Sequence, residues 1–124
     1  MEPDDVYWVL SSAQEEITDI PSSLDIVGND VPCLRLETSE RWATVKSRGD
    51  MWFRLTVDGG LSHVHLDEDI PADEVEQILR TYVDLAVAYM RNQARRTVTP
   101  WLRRPRVVIS TGGVEYVLRP PLFG

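Results

Sequence analysis

The fold of this chain is decided by the stretch at residues 71–96, PADEVEQILRTYVDLAVAYMRNQARR. Its apolar side chains recur at the i, i+3, i+4, i+7 spacing of one helical stripe: Val75, Ile78, Leu79, Tyr82, Val83, Ala86, Tyr89 and Met90. Pro71 suits the first helical position, acidic residues follow it, and arginines close the stretch, as the helix dipole favours. The stretch therefore predicts one long amphipathic helix over about residues 71–96.

Glycine pairs predict two β-hairpins on either side of this helix, at residues 51–67 and 106–119. Gly59-Gly60 and Gly112-Gly113 supply the positive φ angles that two-residue turns require. In the second hairpin such a turn groups Val107, Ile109, Val114, Tyr116 and Leu118 on one face.

A two-residue loop in the first hairpin would place Leu55 opposite Val64 and Phe53 opposite Leu66. These four residues and Val57 would then face the core together. The opposite face would carry Trp52, Arg54, Thr56, His63, His65 and Asp67. A three-residue loop would break this parity.

The rest of the chain predicts a helix followed by short strands. Residues 3–19 fit a helical stripe through Val6, Leu10 and Ala13, although Val6–Leu10 alone would also suit a strand. Strands are expected at Leu24–Val27, Cys33–Thr38 and Trp42–Lys46, and a connector at Thr97–Pro105. We expect one α+β domain over residues 1–124. It would hold an antiparallel sheet of about four to six strands, the 71–96 helix packed on one face, and a second helix near the N-terminus.

Charge is divided along the chain. Residues 1–79 carry 18 acidic and 5 basic side chains, whereas residues 80–124 carry 2 and 8, and the formal net charge is −7. The single cysteine excludes an internal disulfide, the acidic N-terminus is unlike a signal peptide, and no apolar run is long enough to span a membrane. These features favour a cytoplasmic protein that does not insert into membranes.

The first candidate site is the strand segment His63-Val-His65-Leu-Asp67. Alternate strand residues point the same way, so two imidazoles and one carboxylate would project from one face. Such a set could bind zinc or another divalent metal, but a further ligand would have to come from elsewhere. A half-exposed polar sheet face explains the same pattern, and we favour that interpretation.

Three other features have ordinary explanations that we favour. The acidic run from Asp67, Glu68 and Asp69 to Glu76 could hold calcium or magnesium, but acids at a helix start suit the helix dipole. Cys33, at the start of a predicted strand, is expected to be a buried, inert thiol. Five residues form a basic arm that could bind nucleic acid: Arg95, Arg96, Trp101, Arg103 and Arg104. The negative net charge of the whole chain argues against that function.

No catalytic or cofactor-binding motif is present, which favours a protein that is neither an enzyme nor cofactor-dependent. We therefore expect an acidic binding protein, similar in composition to immunity proteins, antitoxins or adaptors, which docks on a basic protein surface. The expected contacts are Trp52, Arg54, Asp67, Glu68 and Asp69. Two alternatives remain open: a metal-dependent enzyme or small-molecule binder that uses His63, His65 and Asp67, and a self-associating structural domain such as a homodimer.

Overall fold

The structure is a computed structural model that describes residues 2–49 and 51–120. The described residues form two helices and eight strands. In chain order they are α1 (Pro3–Glu16), β1 (Ser22–Val27), β2 (Val31–Glu37), β3 (Trp42–Ser47), β4 (Met51–Val57), β5 (Leu61–Asp67), α2 (Ala72–Met90), β6 (Ala94–Val98), β7 (Pro105–Thr111) and β8 (Val114–Leu118). The α+β class and the helix near the N-terminus are confirmed.

The strands form two antiparallel sheets. Strands β1 to β5 are neighbours in chain order in a five-stranded sheet, and β6, β7 and β8 form a three-stranded sheet. Helix α2 contacts β3 and β4 of the larger sheet and β7 of the smaller one, while α1 contacts α2 and β2. The larger sheet agrees with the expected strand number, but the sequence did not predict that the last strands form a sheet of their own.

One cluster of buried apolar side chains draws on both helices and both sheets. Leu10, Phe53, Leu79 and Ile109 belong to it, and none of them has exposed surface. Each such side chain contributes about 1.5–3 kcal/mol relative to an exposed position. The helical stripe and the alternating strand pattern therefore bury the residues that their periodicities indicate.

Helix α2 ends at Met90, six residues before the predicted end at Arg96. Asn92 has a φ of 61°, in the left-handed region that asparagine tolerates beyond a helix end, and Gln93 N–H donates to the Ala88 carbonyl. Residues 94–98 then pair with β7. Arg95 and Arg96 therefore lie in a strand, and the expected connector shrinks to residues 99–104.

Neither described helix is long and apolar enough to cross a membrane.

The two hairpins differ in their turns. The second has the predicted two-residue loop, with Thr111 opposite Val114 and Ile109 opposite Tyr116. The first has a three-residue loop, because Val57 pairs with Leu61, and Leu55 therefore lies opposite His63. The predicted register of the first hairpin is wrong.

Asp58 explains the longer loop. Its backbone N–H donates to the Trp42 carbonyl at 3.1 Å, and its side chain accepts from the Trp42 backbone N–H at 3.1 Å. Asp58 thus pairs with β3 and is withdrawn from the pairing with β5. The shift by one residue turns His63 and His65 toward the core face and Val64 and Leu66 away from it.

Candidate functional site

The inward register of β5 creates a cleft between this strand and α2. His63, His65 and Asp67 line its strand side, and Tyr116 of β8 borders it. The helix side is one stripe at the spacing of successive turns: Glu74, Gln77, Ile78, Thr81 and Tyr82. The cleft has a volume of about 330 Å3 and is open to solvent on one side.

His63 is the most constrained group in this cleft. Its Nδ1 lies 2.8 Å from the Tyr82 hydroxyl, and its ring meets those of Tyr82 and Tyr116 edge to face at centroid distances of 5.6 and 5.5 Å. Burial lowers the pKa of His63, and the neighbouring His65 and Arg119 lower it further. Burial also raises the pKa of Tyr82. Both rings are therefore held in their neutral forms at neutral pH.

Two exposed carboxylates, Asp67 and Glu74, line the cleft. The Asp67 Oδ2 lies 4.0 Å from His65 Nε2, and both side chains are about half exposed. Glu74, one turn into α2, is exposed and lines the same cleft. No arginine or lysine is among the described residues that line it. The cleft therefore joins neutral aromatic walls to negative charge.

The geometry gives no support to the metal interpretation. His63 Nδ1 already faces the Tyr82 hydroxyl, and the described residues contain no group of three or more His, Cys, Asp or Glu side chains placed to hold a metal ion. The acidic run from Asp67 to Glu76, all of which the structure describes, likewise contains no such group.

A second candidate surface lies at the end of β4 and β5 and includes the outer sheet face at Trp52 and Leu66. Trp52 lies directly opposite Leu66, and Met51 lies opposite Asp67. Met51 is 55% exposed and Leu66 is 74% exposed, whereas Trp52 is partly buried. We call Met51, Trp52, Leu66, Asp67 and Glu68 the β4–β5 patch, because together they line one open depression.

The β4–β5 patch includes three of the five residues expected to contact a partner: Trp52, Asp67 and Glu68. Arg54 projects from the same sheet face beside Val64, and Asp69 lies in the loop before α2; neither lines the depression. Met51 and Leu66 are the members that sequence reasoning missed. Leu66 would have been found had the three-residue loop been adopted.

The basic arm is divided between two environments. Arg95 pairs with Glu115 and Arg96 with Asp58, each at 3.3 Å. In contrast, Trp101 is 94% exposed in the loop between β6 and β7, where Arg103 and Arg104 are exposed as well. Part of the positive charge is therefore neutralised by acids of the same chain, and part stays at the surface.

Cys33 is buried, as expected, although it lies on the outer side of the sheet opposite Lys46. Burial raises the pKa of its thiol, which keeps the less reactive protonated form dominant at neutral pH. This environment is that of an inert thiol.

The chain matches no protein-family model, no curated protein and no solved structure.

Proposed function

We propose that this protein is a non-catalytic binding protein that docks through the β4–β5 patch on a basic protein surface, as an immunity protein, an antitoxin or an adaptor would. The observation that carries the proposal is the exposure of Met51 and Leu66 beside Trp52, with carboxylates directly adjacent. Apolar anchors bordered by charge are typical of the centre and rim of a protein interface.

The apolar part of the patch supports a protein partner. Trp52 and Leu66 form a cross-strand pair on a sheet face, so their side chains stand side by side on a rigid support. Large apolar side chains that cluster at the surface favour contact with another macromolecule, whereas single ones need no explanation. A tryptophan in such a cluster is the residue type most often found as an energetic anchor.

The charge of the patch supports a basic partner. Glu68 and Asp69 make no salt bridge with any described residue, and Asp67 approaches only His65. These three carboxylates belong to the acidic part of the chain, residues 1–79, and their field adds to that of its other acids. Such a field would speed the approach of a positively charged surface and would repel an acidic one.

The test is affinity capture of partners from a lysate of the source cells, with Leu66→Ser and Trp52→Ala as variants. We expect the wild-type chain to retain a protein of high isoelectric point that is released when NaCl rises from about 50 to about 500 mM, because salt screens exposed charges. Both variants should lose this protein. Trp101→Ala is the matched control, since it removes an exposed tryptophan outside the patch.

Three results would contradict the proposal. The retained protein could be unaffected by Leu66→Ser, it could resist salt, or Trp101→Ala could release it as completely as Trp52→Ala does. Retention of only a second copy of this chain would point to the self-associating alternative instead.

A further inference from the structure

The cleft between β5 and α2 contains polar groups outside the buried core and the β4–β5 patch, apart from Tyr82, which belongs to the core, and Asp67, which also lines the patch. It brings together the only two histidines of the chain, two tyrosines and two carboxylates. A concave site of about 330 Å3 with a few converging polar groups falls in the lower range of small-molecule pockets.

The charges of the cleft select the class of ligand. Asp67 and Glu74 supply two negative charges from opposite walls, one on the strand and one on the helix. Neither carboxylate has an arginine or lysine partner among the described residues. An anion entering the cleft would meet these two carboxylates, whereas a cation would be attracted by them, because no arginine or lysine is among the described lining residues and Asp67 approaches only His65, at 4.0 Å.

The aromatic walls fit an organic cation better than a metal ion. The His63 ring meets those of Tyr82 and Tyr116 edge to face; Tyr82 is only 2% exposed, whereas His63, His65 and Tyr116 are partly exposed and give the cleft aromatic surface beside its carboxylates. Ile70 and Ile78 supply apolar surface for an aliphatic chain. No ligand set for a metal exists among the described residues.

We propose that this cleft binds the ammonium or guanidinium group of a small aliphatic organic cation. The charged group lies between Asp67 and Glu74, and the aliphatic chain packs against Ile70, Ile78 and the Tyr116 ring. Thr81 and Gln77 add hydrogen-bonding groups on the helix side. This inference requires no protein partner, and Asp67 is the one residue that the cleft shares with the β4–β5 patch.

The test uses n-butylguanidinium chloride as the probe and sodium butyrate as the matched anion, each titrated into the isotope-labelled full chain. In two-dimensional amide NMR spectra we expect saturable shifts from butylguanidinium at β5 residues 63–67 and α2 residues 74–82. Butyrate should produce none there. Asp67→Asn and Glu74→Gln should each weaken binding about tenfold, the effect expected when a charged hydrogen-bond partner is lost.

Glu68→Gln is the control, because it removes one negative charge next to Asp67 without altering the lining of the cleft. Its effect on affinity should stay within about twofold, since an exposed charge outside the site acts only through screened solvent. The inference is overturned if butyrate binds as well as butylguanidinium, if no shifts appear in the cleft, or if Glu68→Gln weakens binding as much as Glu74→Gln. Because Asp67 and Glu74 are exposed, these substitutions should leave the fold intact.

Discussion

Asp58 is the single residue with the widest influence on this molecule. Its Oδ1 accepts the Tyr89 hydroxyl at 2.6 Å as well as the Trp42 backbone N–H, and its Oδ2 accepts from Arg96 at 3.3 Å. Arg96 also donates to the Tyr89 hydroxyl at 2.9 Å. One carboxylate therefore joins β3, α2 and β6, and it links the larger sheet to the smaller one.

The electrostatics of this carboxylate give a pH-dependent prediction. Burial alone would raise the pKa of Asp58, but the hydrogen bonds from Tyr89 and the Trp42 backbone, together with the charge of Arg96, outweigh burial and lower it. Burial and Asp58 together raise the pKa of Tyr89 to about 12. A carboxyl whose pKa is lowered by folding stabilises the fold above its unfolded-state pKa of about 3.9, and that stabilisation is lost as the pH falls through the folded-state value.

We expect Asp58→Asn to lower the free energy of unfolding by about 1–2 kcal/mol at neutral pH, since the amide oxygen can still accept from Tyr89 and the Trp42 backbone, but the amide NH2 cannot accept from Arg96 and the negative charge is lost. The deficit should shrink as the pH falls below about 4, because the carboxyl of the unfolded chain is protonated first and that of the folded chain only at a lower pH. Urea denaturation at several pH values measures both effects. Asp25→Asn, at an exposed position of β1, is the control and should differ from wild type by less than about 0.5 kcal/mol at any pH.

At the scale of the elements, the periodic segments could be predicted and their junctions could not. The stripe of α2, the strands and the second hairpin follow from spacing that is local in the chain. The end of α2 depends on Asn92 and on the pairing of residues 94–98 with β7, which only the tertiary structure supplies. The first turn depends on hydrogen bonds that the Asp58 carboxylate accepts from β3 and α2, so the Gly-Gly signal alone misplaced both histidines.

The register of β5 can be checked by a pair of matched substitutions. Val64 lies on the outer face and is 40% exposed, whereas Val57 faces the core with no exposed surface. Val64→Thr should therefore change the free energy of unfolding by less than about 0.5 kcal/mol, while Val57→Thr should lower it by about 1–3 kcal/mol because a hydroxyl is buried. Equal losses from the two substitutions would show that Val64 also faces the core, as the two-residue loop requires.

For the whole molecule, the question is whether its opposite charges neutralise each other internally. Several arginines do pair with acids, as Arg91 does with Asp19 at 2.9 Å and Arg95 with Glu115. These pairs are exposed, and exposed pairs contribute little to stability. The acids outnumber the basic residues by 20 to 13, so a negative surplus remains after pairing. The docking proposal depends on this surplus, part of which lies at Glu68 and Asp69.

From the surplus of negative charge we predict how salt and the removal of single charges affect thermal stability. Glu68→Gln and Glu115→Gln remove the same charge with the same chemistry, but Glu68 lies between two other acids, whereas Glu115 faces Arg95. At low ionic strength Glu68→Gln should raise the melting temperature by about 1 °C, because it relieves repulsion, and Glu115→Gln should leave it unchanged or lower it. Both differences should fade when NaCl exceeds about 0.5 M. Calorimetric melting curves at low and high salt measure these differences. If Glu68→Gln lowers the melting temperature at low salt, the Glu68 carboxylate makes favourable interactions within the fold and is not available to attract a basic partner.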